Sequence, residues 1–255
     1  MALLKDKVVL VNGGSQGVGA AIARASAREG AKVVITGRRP GPGEALVAEL
    51  GGDALYVRAD LSDAEQAKAS VAATVDAYGR VDCLVNSAGL TARGTLLDTT
   101  PELFDAHIAV NLKGPFFAMQ AAVADMLARE APGTVVNIIT SSAHGGQPFL
   151  APYVAAKAGL AGLTRNAAHA HRWDRIRING LNIGWTATEG EDATQRAFHG
   201  AEDGWLAEAS AKLPMGKLGQ PDEIADFVVL LLSDRSGVVT GSVIDWDQNV
   251  LGGLD

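Results

Sequence analysis

The segment Val9-Leu10-Val11-Asn12-Gly13-Gly14-Ser15-Gln16-Gly17-Val18-Gly19 decides how this chain folds. Its apolar start reads as a short buried strand, and Gly17–Arg28 reads as the helix that follows. Between them, glycines at 13, 17 and 19 let the backbone turn sharply and approach a ligand closely. A helix N-terminus offers unpaired N–H groups and the positive end of its dipole, so the turn suits a pyrophosphate. Many glycine-rich turns only pack a helix on a strand. The place of this one, after the first strand of an α/β pattern, favours the anion site.

Working outward, short β-branched runs alternate with longer alanine-rich stretches. The pattern predicts strands at Val8–Asn12, Lys32–Thr36, Ala54–Arg58, Cys83–Asn86, Thr134–Ile139, Arg177–Leu181 and Ser242–Asp245. It predicts helices at Gly17–Arg28, Gly43–Leu50, Ala64–Tyr78, Pro101–Arg129, Tyr153–His171 and Pro221–Leu232. Near-continuous apolar strands separated by helices imply an α/β fold: a doubly wound parallel sheet of the Rossmann kind, in one domain spanning 1–255. The polar, acidic stretch 188–214 breaks the rhythm and is expected to be a substrate-binding loop or lid.

Composition bounds the function. Of 255 residues, 47% are apolar and 20% charged, as in ordinary globular proteins. The net charge of -7 comes without a clustered basic surface, which argues against nucleic-acid partners. Cys83 is the only cysteine, so no intrachain disulfide can form and no thiolate metal cluster is suggested. The chain carries neither a signal-like N-terminus nor an apolar run long enough for a bilayer; no membrane partner and a cytoplasmic location are the expectation.

Two further sites carry chemistry. At the end of the second strand, an acidic residue would bind an adenosine ribose diol, but the chain reads Gly37-Arg38-Arg39. Arginines can meet a 2′-phosphate, so Arg38 and Arg39 point to NADP as the preferred cofactor, with NAD also tolerated. Tyr153 and Lys157, four apart at the start of a helix after Pro152, share one helical face. A phenol titrates near pH 10, and a nearby ammonium favours its ionised form, so this pair suits acid/base work.

In this order the motifs resemble the short-chain dehydrogenase/reductase family over essentially the whole chain. They are Gly13 to Gly19, Asp60-Leu61, Asn86-Ser87-Ala88-Gly89, Val110-Asn111-Leu112, Tyr153 with Lys157, and Arg177-Ile178-Asn179. The resemblance implies an NAD(P)-dependent enzyme acting on CH–OH and a homotetramer. Tyr153 would exchange a proton with the substrate oxygen. Lys157 would hold the nicotinamide ribose and lower the tyrosine pKa. Asn111 would hold a water on the proton path. Gly13, Ser15, Gln16, Gly17, Val18, Gly19, Asp60, Leu61, Asn86, Ala88 and Gly89 would line the cofactor, with Gly184, Thr186 and Thr188 at its nicotinamide end.

Three positions depart from the family pattern. Asn12 replaces the usual threonine, and Ile183 replaces the usual proline before Gly184. The position of the substrate-polarising serine, thirteen residues before Tyr153, holds Thr140. Thr140 keeps a hydroxyl donor and is the first choice for that role; Ser142 is the second, if the strand continues.

Ser142, His144, Gln147, Thr91, Arg93 and Trp185 are candidate substrate contacts, and no metal site is expected. Such a polar pocket favours a sugar or polyol. The Ser142–Phe149 segment and the Trp246-Asp247-Gln248 tail are also similar to sugar dehydrogenases, implying oxidation at C1 of an aldose such as L-rhamnose. The alternatives are a carbonyl or 3-oxoacyl-type reductase using the same residues, and a non-catalytic dinucleotide-binding sensor.

Overall fold

The computed structural model of the chain describes residues 2–250. Seven strands form one sheet: β1 Val8–Asn12, β2 Lys32–Gly37, β3 Ala54–Arg58, β4 Cys83–Asn86, β5 Gly133–Thr140, β6 Ile176–Ile183 and β7 Val243–Trp246. Their order is β3-β2-β1-β4-β5-β6-β7, and every neighbouring pair is parallel. The order reverses between β1 and β4, so the crevice at their C-terminal ends is the switch point where such sheets bind ligands.

Alternate strand residues feed two cores, as a sheet covered on both faces requires. Val9, Val11, Val136 and Ile138 pack on one face with α1 (Gly17–Arg28), α2 (Pro40–Leu50) and α9 (Pro221–Leu232). Leu10, Val135 and Ile139 pack on the other with α3 (Ala64–Tyr78), α5 (Gly114–Ala128) and α6 (Ala151–His171). No helix among the described residues is long and apolar enough to cross a membrane.

Two elements differ from the sequence expectation. The single helix expected over Pro101–Arg129 is α4 (Pro101–Ile108), a π-turn at Ala109–Lys113, and then α5. The wider turn has no signature in apolar periodicity, and such turns cluster at functional sites. The stretch 188–214 is largely helical rather than a loop. It contains α7 (Glu189–His199), whose N-cap Thr188 accepts a hydrogen bond from the Glu191 N–H, and α8 (Trp205–Ala211). Its many acidic residues read as loop, yet three of them lie in the first turn of α7, where they complement the helix dipole. Elsewhere β2, β5, β6, α2 and α6 extend the expected limits by one to three residues, β7 is shifted by one, and the remaining elements coincide with them. Of the C-terminal tail, Leu251 lies outside the described residues, and Val250 is exposed.

A row of buried amides ties the top of the sheet together. The Thr36 hydroxyl donates to Asn12 Oδ1 at 3.1 Å, and Asn12 Nδ2 donates to Asn86 Oδ1 at 3.3 Å. Asn86 Nδ2 donates to Asn137 Oδ1 at 2.8 Å, and Asn137 Nδ2 to the Thr164 hydroxyl at 2.9 Å. Asn12, Asn86 and Asn137 are register partners on β1, β4 and β5, and Thr164 lies on α6. Removing one member leaves its neighbours buried and unpaired. Asn137→Leu should therefore cost about 2–3 kcal/mol. Urea unfolding should show this as a lower midpoint at unchanged slope; an unchanged midpoint would contradict the role given to the row.

Candidate active site

The crevice above the switch point opens into a cleft of about 1490 Å³. One end is the glycine turn. Gly13 has φ +76°, and a Cβ there would lie 2.6 Å from the Ala88 backbone; a Cβ on Gly19 would lie 2.1 Å from the Gly13 carbonyl. Only glycine lets the turn fold this tightly against the loop after β4. The N-cap of α1, Gln16, makes no side-chain cap, and its first turn holds no acidic residue. Its N–H groups are thus left to an anion, and the turn fits a dinucleotide pyrophosphate.

Beside it, Arg38 and Arg39 line the same cleft, and Arg39 Nη2 donates to the Gln16 side chain. A Cβ on Gly37 would lie 2.6 Å from Ser15 Oγ, so the acidic side chain absent there has little room. Asp60 also lines the cleft, its Oδ1 accepting from the Ser62 N–H and hydroxyl. Gly13, Ser15, Gln16, Gly17, Val18, Gly19, Leu61, Ala88, Gly89, Gly184, Thr186 and Thr188 complete that wall. Asn86 does not reach it, because its side chain is spent on Asn12 and Asn137.

The other end holds Thr140, Tyr153 and Lys157. Thr140 is the last residue of β5 and caps the 3-10 turn Ser141–His144, accepting from the Ser142 N–H at 3.2 Å. Because the strand stops here, Ser142 leaves the strand alternation, and its hydroxyl donates to Gln147 Oε1 at 2.7 Å. The Thr140 hydroxyl proton remains free to meet Tyr153, and the two hydroxyls interact.

Lys157 is buried, 3% exposed, and its Nζ donates to the Ile138 carbonyl at 2.8 Å. Burial pushes its proton affinity down to about 8. Burial likewise pushes the Tyr153 phenol up to about 12, and the Thr140 hydrogen bond is the main influence pulling it down. Arg93 also lowers it, and Glu191 raises it. Lys157, expected to lower this pKa, stands four residues on along the same helix. Its ammonium engages Ile138, 5.9 Å from the phenol ring centroid, and its own charge is disfavoured by burial.

Asn111 sits in the π-turn with no exposure. Its Oδ1 accepts from the Leu90 N–H at 3.0 Å, and its Nδ2 donates to the Leu90 carbonyl at 3.0 Å. It therefore fixes the cleft loop after β4. His107, one turn earlier, packs edge-on against the Tyr153 ring at 6.1 Å.

Of the residues expected to touch substrate, Ser142, Gln147, Thr91, Arg93 and Trp185 line the cleft. His144 does not. Its Nε2 pairs with Asp245 Oδ1 at 2.8 Å beside Asn182, drawing the ring to the β7 side. The structure adds Phe149, Glu191, Gln195, His199 and Asp247–Asn249 to the lining. Three of these lie on α7, and the i, i+4 spacing of Glu191, Gln195 and His199 is the signal that could have found them. No group of three or more His, Cys, Asp or Glu residues among those described could hold a metal ion.

Comparison with known proteins agrees with this geometry. Residues 13–249 match a family model described as enoyl-(acyl carrier protein) reductase. A solved structure of a short chain dehydrogenase/reductase family protein superposes with a TM-score of 0.84 at 36% identity, covering 97% of this chain and 98% of that one. The chain belongs to the short-chain dehydrogenase/reductase family. An L-rhamnose 1-dehydrogenase (NAD(P)(+)) of Azotobacter vinelandii is 37% identical over 247 residues, with 94% of each chain covered. A 3-oxoacyl-[acyl-carrier-protein] reductase of Thermotoga maritima is 34% identical, covering 97% of this chain and 99% of its own. The protein is thus an NAD(P)-dependent dehydrogenase/reductase.

The Thr140 contact yields a signed prediction. Thr140→Val removes the hydrogen bond that lowers the Tyr153 pKa, so the alkaline rise of the alcohol-oxidation profile should move to higher pH. At neutral pH kcat should fall about 100-fold. Thr140→Ser should restore most of the rate, and Ser142→Ala should cost less than Thr140→Val. If only Ser142→Ala removes turnover, Ser142 is the polarising group.

Proposed function

We propose that this enzyme is an NADP-preferring dehydrogenase that oxidises a secondary alcohol or hemiacetal carbon of a sugar or polyol, at C1 of an aldose in the simplest case. The observation that carries the substrate class is the polar wall around Tyr153, where Thr91, Arg93, Ser142, Gln147, Glu191, Gln195 and His199 face one cleft. A steroid or acyl chain would call for apolar lining. Trp185 supplies one broad face, held by its Nε1 donating to Glu191 at 2.7 Å and by stacking on Trp205 at 6.0 Å.

A nicotinamide dinucleotide bound along the glycine turn supplies the hydride acceptor. Tyr153 Oη takes the proton of the reacting hydroxyl, and Thr140 Oγ1 hydrogen-bonds to the same substrate oxygen. Lys157, which lines the cleft, would hold the ribose of that cofactor. Asn111 fixes the Leu90 segment of the cleft wall through both atoms of its amide. The arginines at 38 and 39 favour a 2′-phosphate because each lines the cleft as a cation, and Gly37 stands where an acid would repel it. Run in reverse, the same residues reduce a carbonyl, the direction named in the 3-oxoacyl reductase relative.

We place the enzyme in the cytoplasm and as a homotetramer. Support for assembly comes from Leu96, Leu97, Phe104 and Phe116, large apolar side chains left exposed around α4 and α5. Light scattering after size exclusion should give a mass about four times the 26.3 kDa chain; a monomer would overturn this.

The function is tested with aldoses, polyols and apolar ketones against both cofactors. Polyhydroxylated substrates should be oxidised, with NADP+ preferred. The double change Arg38→Ala, Arg39→Ala should lower kcat/KM for NADP+ by about 10- to 100-fold and leave that for NAD+ much less affected. Activity confined to apolar ketones would sink the reading.

A further inference from the structure

The wall of the cleft beside Tyr153 carries a cation with no carboxylate within ion-pair distance; Glu191 acts on it only through space. Arg93 lies on the segment after β4 and is fixed by the main chain on its C-terminal side. Gly94 N–H donates to the Phe149 carbonyl at 2.9 Å, and Ala151 N–H to the Gly94 carbonyl at 3.0 Å. Arg93 is thereby held beside the first turn of α6, which carries Tyr153. Its guanidinium carbon lies 5.2 Å from the Phe149 ring centroid and 5.9 Å from that of Phe198.

Its polar partners are all neutral. Arg93 Nε and Nη2 face Nε2 of His199 at 3.4 and 3.1 Å, and Nη1 donates to the Thr91 carbonyl at 2.9 Å. This geometry makes His199 Nε2 the acceptor and therefore places that ring's proton on Nδ1. A guanidinium has five N–H donors, so with three committed, two remain. Among the described residues Arg93 takes part in no ion pair.

Glu191, the acid on the same wall, is provided for differently. Its Oε1 accepts from Trp185 Nε1 and from Gln195 Nε2, each at 2.7 Å. The anion is already solvated by two protein donors. The cation, part-buried between aromatic rings, is the charge left open to the cleft.

We propose that Arg93 is a specificity-determining residue that takes an oxyanion of the substrate, so the preferred substrate is an acidic polyhydroxylated compound and not a neutral aldose. This rests on the reading of the enzyme as a dehydrogenase of sugars or polyols. A carboxylate, as in a uronate, and a phosphate ester both present two oxygens to a guanidinium. The reacting hydroxyl then lies at Tyr153 and the anion beyond it, toward α7.

The test uses matched sets in which one aldose is offered neutral, as its uronate and as its terminal phosphate, with NADP+ in excess. Steady-state rates are measured, with calorimetric binding to the NADP+-loaded protein alongside. At least one acidic member should show a kcat/KM on the order of tenfold or more above the neutral one, carried mainly by KM. Which acid wins tells carboxylate from phosphate. Arg93→Gln should collapse the acid-to-neutral ratio towards one, and Arg93→Lys should recover part of it. Equal ratios in the wild type, or a ratio unchanged in Arg93→Gln, would overturn the proposal. If no member is oxidised, the sugar-or-polyol reading fails, and calorimetry still decides the site: tighter binding of the acid that depends on Arg93 upholds it, and equal binding overturns it.

Discussion

The row of buried amides from Thr36 through Asn12, Asn86 and Asn137 to Thr164 is the constraint on which the rest depends. Parallel strands with apolar faces can slip in register at little cost in buried area. A chain of side-chain hydrogen bonds cannot, because a shift leaves several polar groups buried without partners. The row crosses the C-terminal ends of β1 and β4, where the glycine turn and the loop carrying Ala88 and Gly89 begin, and the middle of β5. Its last member anchors α6, which carries Tyr153 and Lys157. One polar network therefore sets the distance between the cofactor turn and the proton-transfer pair.

Given that frame, the chemistry follows from burial acting on two groups with opposite sign. Desolvation disfavours the charged form of each, raising the Tyr153 phenol to about 12 and lowering Lys157 to about 8. Alone, Tyr153 would hold its proton at neutral pH. The groups that pull it down are a hydroxyl at the end of β5 and a cation on the loop after β4. Both are placed by elements of the same sheet, and the positive ring of an oxidised cofactor would act in the same direction. Arg93 thus faces two ways, toward the phenol as a charge and toward substrate as a donor.

Much of this was legible in the sequence because it is local. The turn at Gly13–Gly19, the pair Tyr153 and Lys157, and all seven strands to within two residues at either end come from spacing and composition. What escaped depends on tertiary placement. The π-turn that aims Asn111 breaks no apolar pattern. His144 sits in the right turn, but Asp245, far along the chain, draws its ring away. The acidic run after Thr188 looks like a loop, and only its docking over the cleft shows that α7 presents Glu191, Gln195 and His199 inward. Thr140 is the instructive middle case: it stands where the resembled family carries its serine, thirteen residues before Tyr153, and the end of β5 explains why Ser142 turns elsewhere.

In the proposed mechanism Tyr153 is the proton-transfer group, and the fold, not the cofactor alone, positions it. The most direct test is a single-turnover measurement of reduced-nicotinamide absorbance after mixing the NADP+-loaded protein with an oxidisable substrate. Tyr153→Phe should slow that step by about 1000-fold while the NADP+ dissociation constant changes by less than about threefold. A Tyr153→Phe protein that binds NADP+ normally and transfers hydride at the wild-type rate would contradict the account.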